Sequence, residues 1–205
     1  MRNVSGEELK TLLNRHKSID NAPVYKSTRD TRKGIFPIDD DTISRTTSPT
    51  DDKFCRTQLL LTTEQMVSER FPLPIERLTR YKYSRYVTTR DRYKAVTSSS
   101  PILGVDCEMC KTDGGELELT RVSLVDERCE VVYDQLVKPD NSITDYLTRY
   151  SGITASSMEG VTKRLTEVQA DLGALVPRDA ILVSQSLAFD LHALKMMHPY
   201  VIDTR

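Results

Sequence analysis

The chain has 205 residues, with 29 Lys+Arg against 30 Asp+Glu, a formal net charge of −1 and no Trp. No run approaches the roughly 18 apolar residues of a membrane-spanning helix, the first residues carry no apolar stretch of the secretory type, and four Cys (Cys55, Cys107, Cys110, Cys129) do not make a disulfide scaffold. A soluble intracellular protein is expected, and its near-neutral total hides an asymmetry: residues 1–100 carry 19 Lys/Arg and 13 Asp/Glu, residues 101–205 carry 10 and 17.

Residues 1–60 read as largely disordered. Gly6 to Arg15 could form a short helix with Leu9, Leu12 and Leu13 on one side. Ser18 to Cys55 is polar, includes Asp39-Asp40-Asp41 and Thr46-Thr47-Ser48-Pro49, and is too poor in apolar residues to offset chain entropy. Residues 61–98 read as a basic, aromatic connector with a helix over Thr63 to Arg70, stopped at Phe71-Pro72 because proline biases the preceding residue away from helix. From Arg70 to Lys94 there are eight Lys/Arg, two acids (Glu76, Asp91) and five aromatics: Phe71, Tyr81, Tyr83, Tyr86 and Tyr93. Cations track phosphates and rings stack on unpaired bases, so Tyr81 and Tyr83 are candidate nucleic-acid contacts. The same pattern also suits a solvated connector whose tyrosines pack on a neighbouring domain.

Residues 99–205 show regular periodicity. Pro101 to Met109 is a short apolar run and reads as a buried strand. Asp113-Gly114-Gly115 turns the chain into Leu117 to Val125, which alternates as a second strand, and Cys129 to Val137 is a third. The period then changes. Thr166 to Val176 places Val168, Leu172 and Leu175 at helical spacing, Ile181 to Val183 is a buried strand, Leu187 to Met197 is helical, and Val201-Ile202 opens another strand. Three antiparallel strands followed by alternating helix and strand predict an α/β fold on a mixed sheet.

Asp106 and Glu108 lie two apart near the end of the first strand and therefore share a face. Two adjacent carboxylates repel each other, and a divalent cation relieves that repulsion; Mg²⁺ or Mn²⁺ suits all-oxygen ligands. Ordinary solvated acids beside a turn would give the same pattern. Asp190 lies in the first helical turn after a buried strand, where a carboxylate can simply complement the helix dipole. Cys107 and Cys110 form a C-x-x-C with no second ligand pair, and core packing is the better reading. His198 stands five residues before Asp203, and a general-base role for it is the weaker reading.

The stretch Gly104-Val105-Asp106-Cys107-Glu108-Met109-Cys110 resembles the first motif of the DEDDh 3′–5′ exonucleases, and within them the REX-type RNA exonucleases. Further stretches agree in order: Leu119-Thr120-Arg121-Val122-Ser123-Leu124-Val125, Leu136-Val137-Lys138-Pro139, Ser151-Gly152-Ile153-Thr154, Ser186-Leu187 with Asp190-Leu191 and Ala193-Leu194-Lys195, and His198-Pro199 with Val201-Ile202-Asp203-Thr204. The resemblance covers about residues 93–205. It implies an RNase H-like fold, with Asp106, Glu108 and Asp190 as catalytic metal ligands and two ions, Mg²⁺ or Mn²⁺, about 3.5–4 Å apart. The implied reaction hydrolyses RNA from a single-stranded 3′ end to nucleoside 5′-monophosphates, with no membrane involved and the nucleus, or its nucleolus, as the expected compartment. Met109 and Leu187, inside the two motifs, join Tyr81 and Tyr83 as candidate RNA contacts.

Two departures bear on that expectation. The family's third motif, a histidine base with a further aspartate, is not found before Arg205, so the exonuclease fold over residues 99–205 is expected to be its N-terminal part, incomplete at the C-terminus. Ser184-Gln185 stand where the family usually has Gly-His. An alternative reading is therefore a non-catalytic nucleic-acid-binding or interaction module derived from such an enzyme.

Overall fold

The computed structural model describes residues 31–39, 55–75 and 82–205. The helix expected over Gly6 to Arg15, and Tyr81, lie outside the described residues. Among those described, no helix is long and apolar enough to cross a membrane.

The sheet is built on one long strand, β2 (Ile102–Thr112), since β1 (Val87–Thr88) pairs elsewhere. β2 folds back through the turn at 113–116 into β3 (Leu117–Val125), which pairs antiparallel with β4 (Val131–Leu136). Gly115 takes φ 79° in that turn, a conformation open to glycine without strain. On its other side β2 runs parallel to β6 (Ile181–Ser184), and β6 parallel to β8 (Val201–Asp203), giving the order β4-β3-β2-β6-β8. A short β5 (Ile143–Asp145) pairs with the far end of β2. This is the mixed α/β sheet expected from the sequence, with three antiparallel strands followed by parallel ones.

Alternation along β2 decides which face is dry. Leu103, Val105 and Cys107 are buried with Val122 and Leu124 of β3, while Asp106 between them is exposed. The dry face packs against α3 (Leu165–Leu175), through Val168 and Leu172, and α4 (Leu187–Ala193), through Leu187 and Leu191. A one-turn helix, α2 (Thr148–Ser151), follows β5, and α1 (Thr63–Ser68) is started by a reciprocal capping box between Thr62 and Gln65.

Two findings depart from the sequence reading. The helix expected to reach Met197 stops at Ala193: Lys195 takes φ 48°, and Met196–Met197 become β7, paired in parallel with β1. A remote partner strand competes successfully with continued helix there. Residues 31–39 fall in the stretch read as a loose tether, yet Phe36 is buried edge-on against Tyr93 and joins the core with Leu60, Met66, Phe71 and Leu73. Asp39 fixes this segment by accepting from Arg92 and Arg178.

Candidate active site at the edge of the long strand

β6 pairs with β2 only as far as Gly104 and β5 takes up the same edge only at Lys111, so between those points the edge of β2 has no strand beside it. Helix α4 fills the place. The backbone N–H of Cys107 donates to Oδ1 of Asp190 at 3.0 Å, so the carboxylate takes the position a neighbouring strand's carbonyl would hold. Asp190 is thereby fixed against β2 beside Asp106, with only 6% of its surface exposed.

The turn into α4 is set by a second aspartate. Ser186, with φ 61° and ψ 41°, is left-handed and makes no side-chain cap. Its N–H donates to Oδ1 of Asp203 at 2.8 Å, while Oδ2 of Asp203 is buried without a hydrogen-bond partner. Ser184, flagged in the sequence only as a departure from Gly-His, hydrogen-bonds the Asp190 carboxylate.

Asp106 and Glu108 leave β2 on the face opposite Cys107, as their spacing requires. Across the sheet Asp106 is in register with Ser123 and Glu108 with Arg121. The register shifts after Glu108, where Thr120 of β3 has no opposite residue and its hydroxyl donates to the Glu108 carbonyl at 3.0 Å. Such a bulge re-aims neighbouring side chains. Arg121 in turn grips Asp134 of β4 through both Nε (2.7 Å) and Nη2 (2.6 Å), and Ser123 donates to the same carboxylate at 3.1 Å.

Electrostatics single out this corner. Burial pushes the Asp190 carboxyl up to about 6 and the Asp106 charge adds to the shift, against hydrogen bonds from Cys107 and Ser184. Glu108 is also raised, by burial and then by Asp106, with Arg121 opposing. The Cys107 thiol is driven well up by burial, with Asp190, Asp106 and Glu108 all contributing. It is an inert core thiol, and burial likewise lifts Cys110 to about 11.

The donor set is all oxygen and mutually repulsive, which suits a hard divalent cation. Among the described residues no group of three or more His, Cys, Asp or Glu side chains stands close enough to hold a metal by itself. Mg²⁺ characteristically takes one or two carboxylates and completes its octahedron with water and substrate phosphate. The Asp106–Asp190 pair, with Glu108 on the same strand, fits that mode and does not form an all-protein cage.

The other sequence candidates fall differently. Leu187 is wholly buried in the core, because the first turn of α4 faces the sheet, and it does not reach a ligand. Tyr83 is 4% exposed and packs at a tilt against Tyr86, with ring centroids 4.7 Å apart, so it offers no free ring to a base. Met109 is half-buried at the register shift beside Glu108. His198 is fully buried between Thr89 (2.6 Å to Nδ1) and the carbonyl of Ala180 (2.8 Å to Nε2), which leaves it no route to act as a base alongside Asp203. Sequence reasoning did not single out Asp134, and it gave Arg121 no role. Their connection depends on cross-strand register, which no local pattern shows.

Residues 103–201 match the family model described as Exonuclease. The chain is 51% identical over 148 residues to RNA exonuclease 5 of Bos taurus, covering 72% of this chain and 18% of that protein. It is 52% identical over 106 residues to RNA exonuclease 1 of Saccharomyces cerevisiae, covering 51% of this chain and 19% of that one. Among solved structures it is similar to the Pan2 catalytic unit of Neurospora crassa, with a TM-score of 0.45 at 20% identity over 55% of this chain and 21% of that one. The chain thus spans about a fifth of the length of these curated relatives. The domain that carries Asp106, Glu108 and Asp190 matches the exonuclease family and is similar to the corresponding part of the REX-type RNA exonucleases.

Proposed function

We propose that the chain carries the motif-bearing part of a metal-dependent 3′–5′ exoribonuclease that releases nucleoside 5′-monophosphates from RNA. The observation that carries this reading is the buried Asp190 carboxylate, tied to the Cys107 N–H and set beside Asp106. Asp106 and Asp190, with Glu108, would hold Mg²⁺ or Mn²⁺. When bound, such ions neutralise phosphate charge and lower the pKa of water. The chain's own part is positional. Cys107 N–H and Ser184 orient Asp190, Asp203 fixes the turn ahead of it, and the bulge at Thr120 aims Glu108.

The test has two readouts on the 205-residue chain. Mn²⁺ affinity is measured directly by spin resonance, and 5′-labelled single-stranded RNA is incubated with Mn²⁺ or Mg²⁺ and resolved by length. The expected result is that Asp106→Ala weakens Mn²⁺ binding at least tenfold and abolishes any metal-dependent ladder. Unchanged Mn²⁺ affinity in Asp106→Ala sinks the metal assignment; release of the 5′ label as a mononucleotide sinks the polarity. The alternative of a non-catalytic RNA-binding module drew on the third motif not being found and on the basic, aromatic segment; the burial of Tyr83 withdraws one ring of that segment.

A further inference from the structure

An open cleft of about 710 Å³ lies beside the carboxylates, between β3–β4 and the loop leading into α3. Its walls include Arg121, Asp134 and Leu136 on the sheet side and Ile153, Val161 and Lys163 on the loop side. The volume falls in the range of about 300–1,000 Å³ typical of ligand sites. None of the three carboxylates lines it. Arg121 does, and it is the strand partner of Glu108, so it links the cleft to the carboxylate face.

Arg121 is held in an informative way. Asp134 engages it with two parallel hydrogen bonds, the fork geometry in which a guanidinium also takes a phosphate. Nη1 makes no hydrogen bond among the described residues. Both side chains of the pair are substantially exposed, at 43% and 38%. The bidentate geometry makes this stronger than an ordinary surface ion pair, and its exposure leaves it open to an incoming phosphate, which can take the same fork. The other cation of the cleft, Lys163, is tied to Asp171 and lies 5.8 Å from the Tyr133 ring. Each positive group of the cleft is thus held by a carboxylate that an incoming polyanion can replace.

We propose that this cleft seats the RNA strand next to the carboxylate site and that Arg121 is its phosphate-positioning residue, with Asp134 standing in for the phosphate when RNA is absent. The inference rests on the exoribonuclease reading and adds the path of the strand to it. Asp134 has a defined role in it: it competes with RNA for the guanidinium.

The test uses opposite signs. A fluorescein-labelled 12-nucleotide oligouridylate is titrated with the full chain in Ca²⁺ at several salt concentrations. Arg121→Gln should weaken binding about tenfold and flatten the slope of log affinity against log salt by about 0.7, one lost phosphate contact on a single strand. Asp134→Asn, which frees Arg121, should tighten binding severalfold. If the pair only sews β3 to β4, the two variants leave RNA affinity and its salt slope unchanged or lower both together, and the inference is overturned. If Arg121→Gln does not fold, Asp134→Asn decides alone: tighter binding supports the role, and equal or weaker binding ends it. Failure of the unsubstituted chain to bind the RNA overturns the exoribonuclease reading along with this one, whereas binding that neither substitution changes overturns this one only.

Discussion

Asp190 and His198 are both buried ionisable groups, at 6% and 0% exposed, yet the fold surrounds them differently. Both ring nitrogens of His198 have a hydrogen-bond partner. The Ala180 carbonyl can only accept, so Nε2 carries the hydrogen; Nδ1 then accepts from Thr89, and Tyr93 donates to the Thr89 oxygen at 2.9 Å. Burial pushes this histidine down to about 4 and keeps it neutral. Asp190 accepts from the Cys107 N–H, but burial disfavours its charge and the Asp106 carboxylate adds to that. A fully satisfied buried network rigidifies, while a buried charge facing a like charge is a standing cost that a ligand can relieve. The first region joins β1, β7 and the 31–39 segment to the sheet; the second is where the proposed chemistry lies.

The largest expected effect comes from breaking the satisfied region. Thr89→Val is nearly isosteric, but it leaves Nδ1 of His198 without a donor and takes the Tyr93 hydroxyl's close acceptor away. The expected loss is about 1–3 kcal/mol at pH 7, measured by urea denaturation. His198 also sets a pH signature. Its folded pKa lies below its unfolded value of 6.5, so the stability it contributes is present above 6.5 and is lost as pH falls through about 4. A loss under 0.5 kcal/mol in Thr89→Val would mean the two regions are less unlike than their hydrogen bonds indicate.

Asp190→Asn tests the opposite sign. The folded pKa of Asp190 is raised from 3.8 to about 6, so its contribution to stability is present below 3.8 and is lost as pH rises through about 6. In the metal-free chain the neutral amide should therefore be more stable than wild type at pH 7, by about 1 kcal/mol after allowance for solvent screening. The difference should vanish below about pH 4. Saturating Mn²⁺ should reverse the order, because only the carboxylate gains from the ion. Equal stability of the two proteins at pH 7 without metal would remove the contrast with His198.

The sequence disclosed these regions unequally, for physical reasons. Period-two and period-3.6 patterns are local, so β3 appears over Leu117–Val125 as read, α3 within one residue, and Asp106 and Glu108 share a face as expected. Asp190 was legible through its motif, but its burial was not, because the Cys107 N–H that captures it lies 83 residues away. The same limit hid β1–β7, the Arg121–Asp134 pair and the seating of Phe36: each depends on a partner far along the chain. Tyr83 and Leu187 went astray because composition shows a ring or a leucine near a motif, not the direction in which it packs.

The smallest expected effect concerns the joint that serves Asp190. Ser186 holds a left-handed conformation at φ 61° with no capping bond from its hydroxyl, so the serine side chain adds strain and no compensating contact. An L-residue at such a position costs about 1–2 kcal/mol, which glycine avoids, while glycine gives back about 0.4–1 kcal/mol through a freer unfolded chain. Ser186→Gly should therefore stabilise the chain by about 0.5 kcal/mol in urea denaturation. The Asp203 carboxylate grips the backbone N–H, which glycine keeps, so the turn should hold and Mn²⁺ affinity should stay within twofold. A tenfold fall in affinity with stability unchanged would assign the aiming of Asp190 to the stiffness of residue 186, and not to Asp203, and the strain would then belong with the carboxylate repulsion among the local costs of building this site.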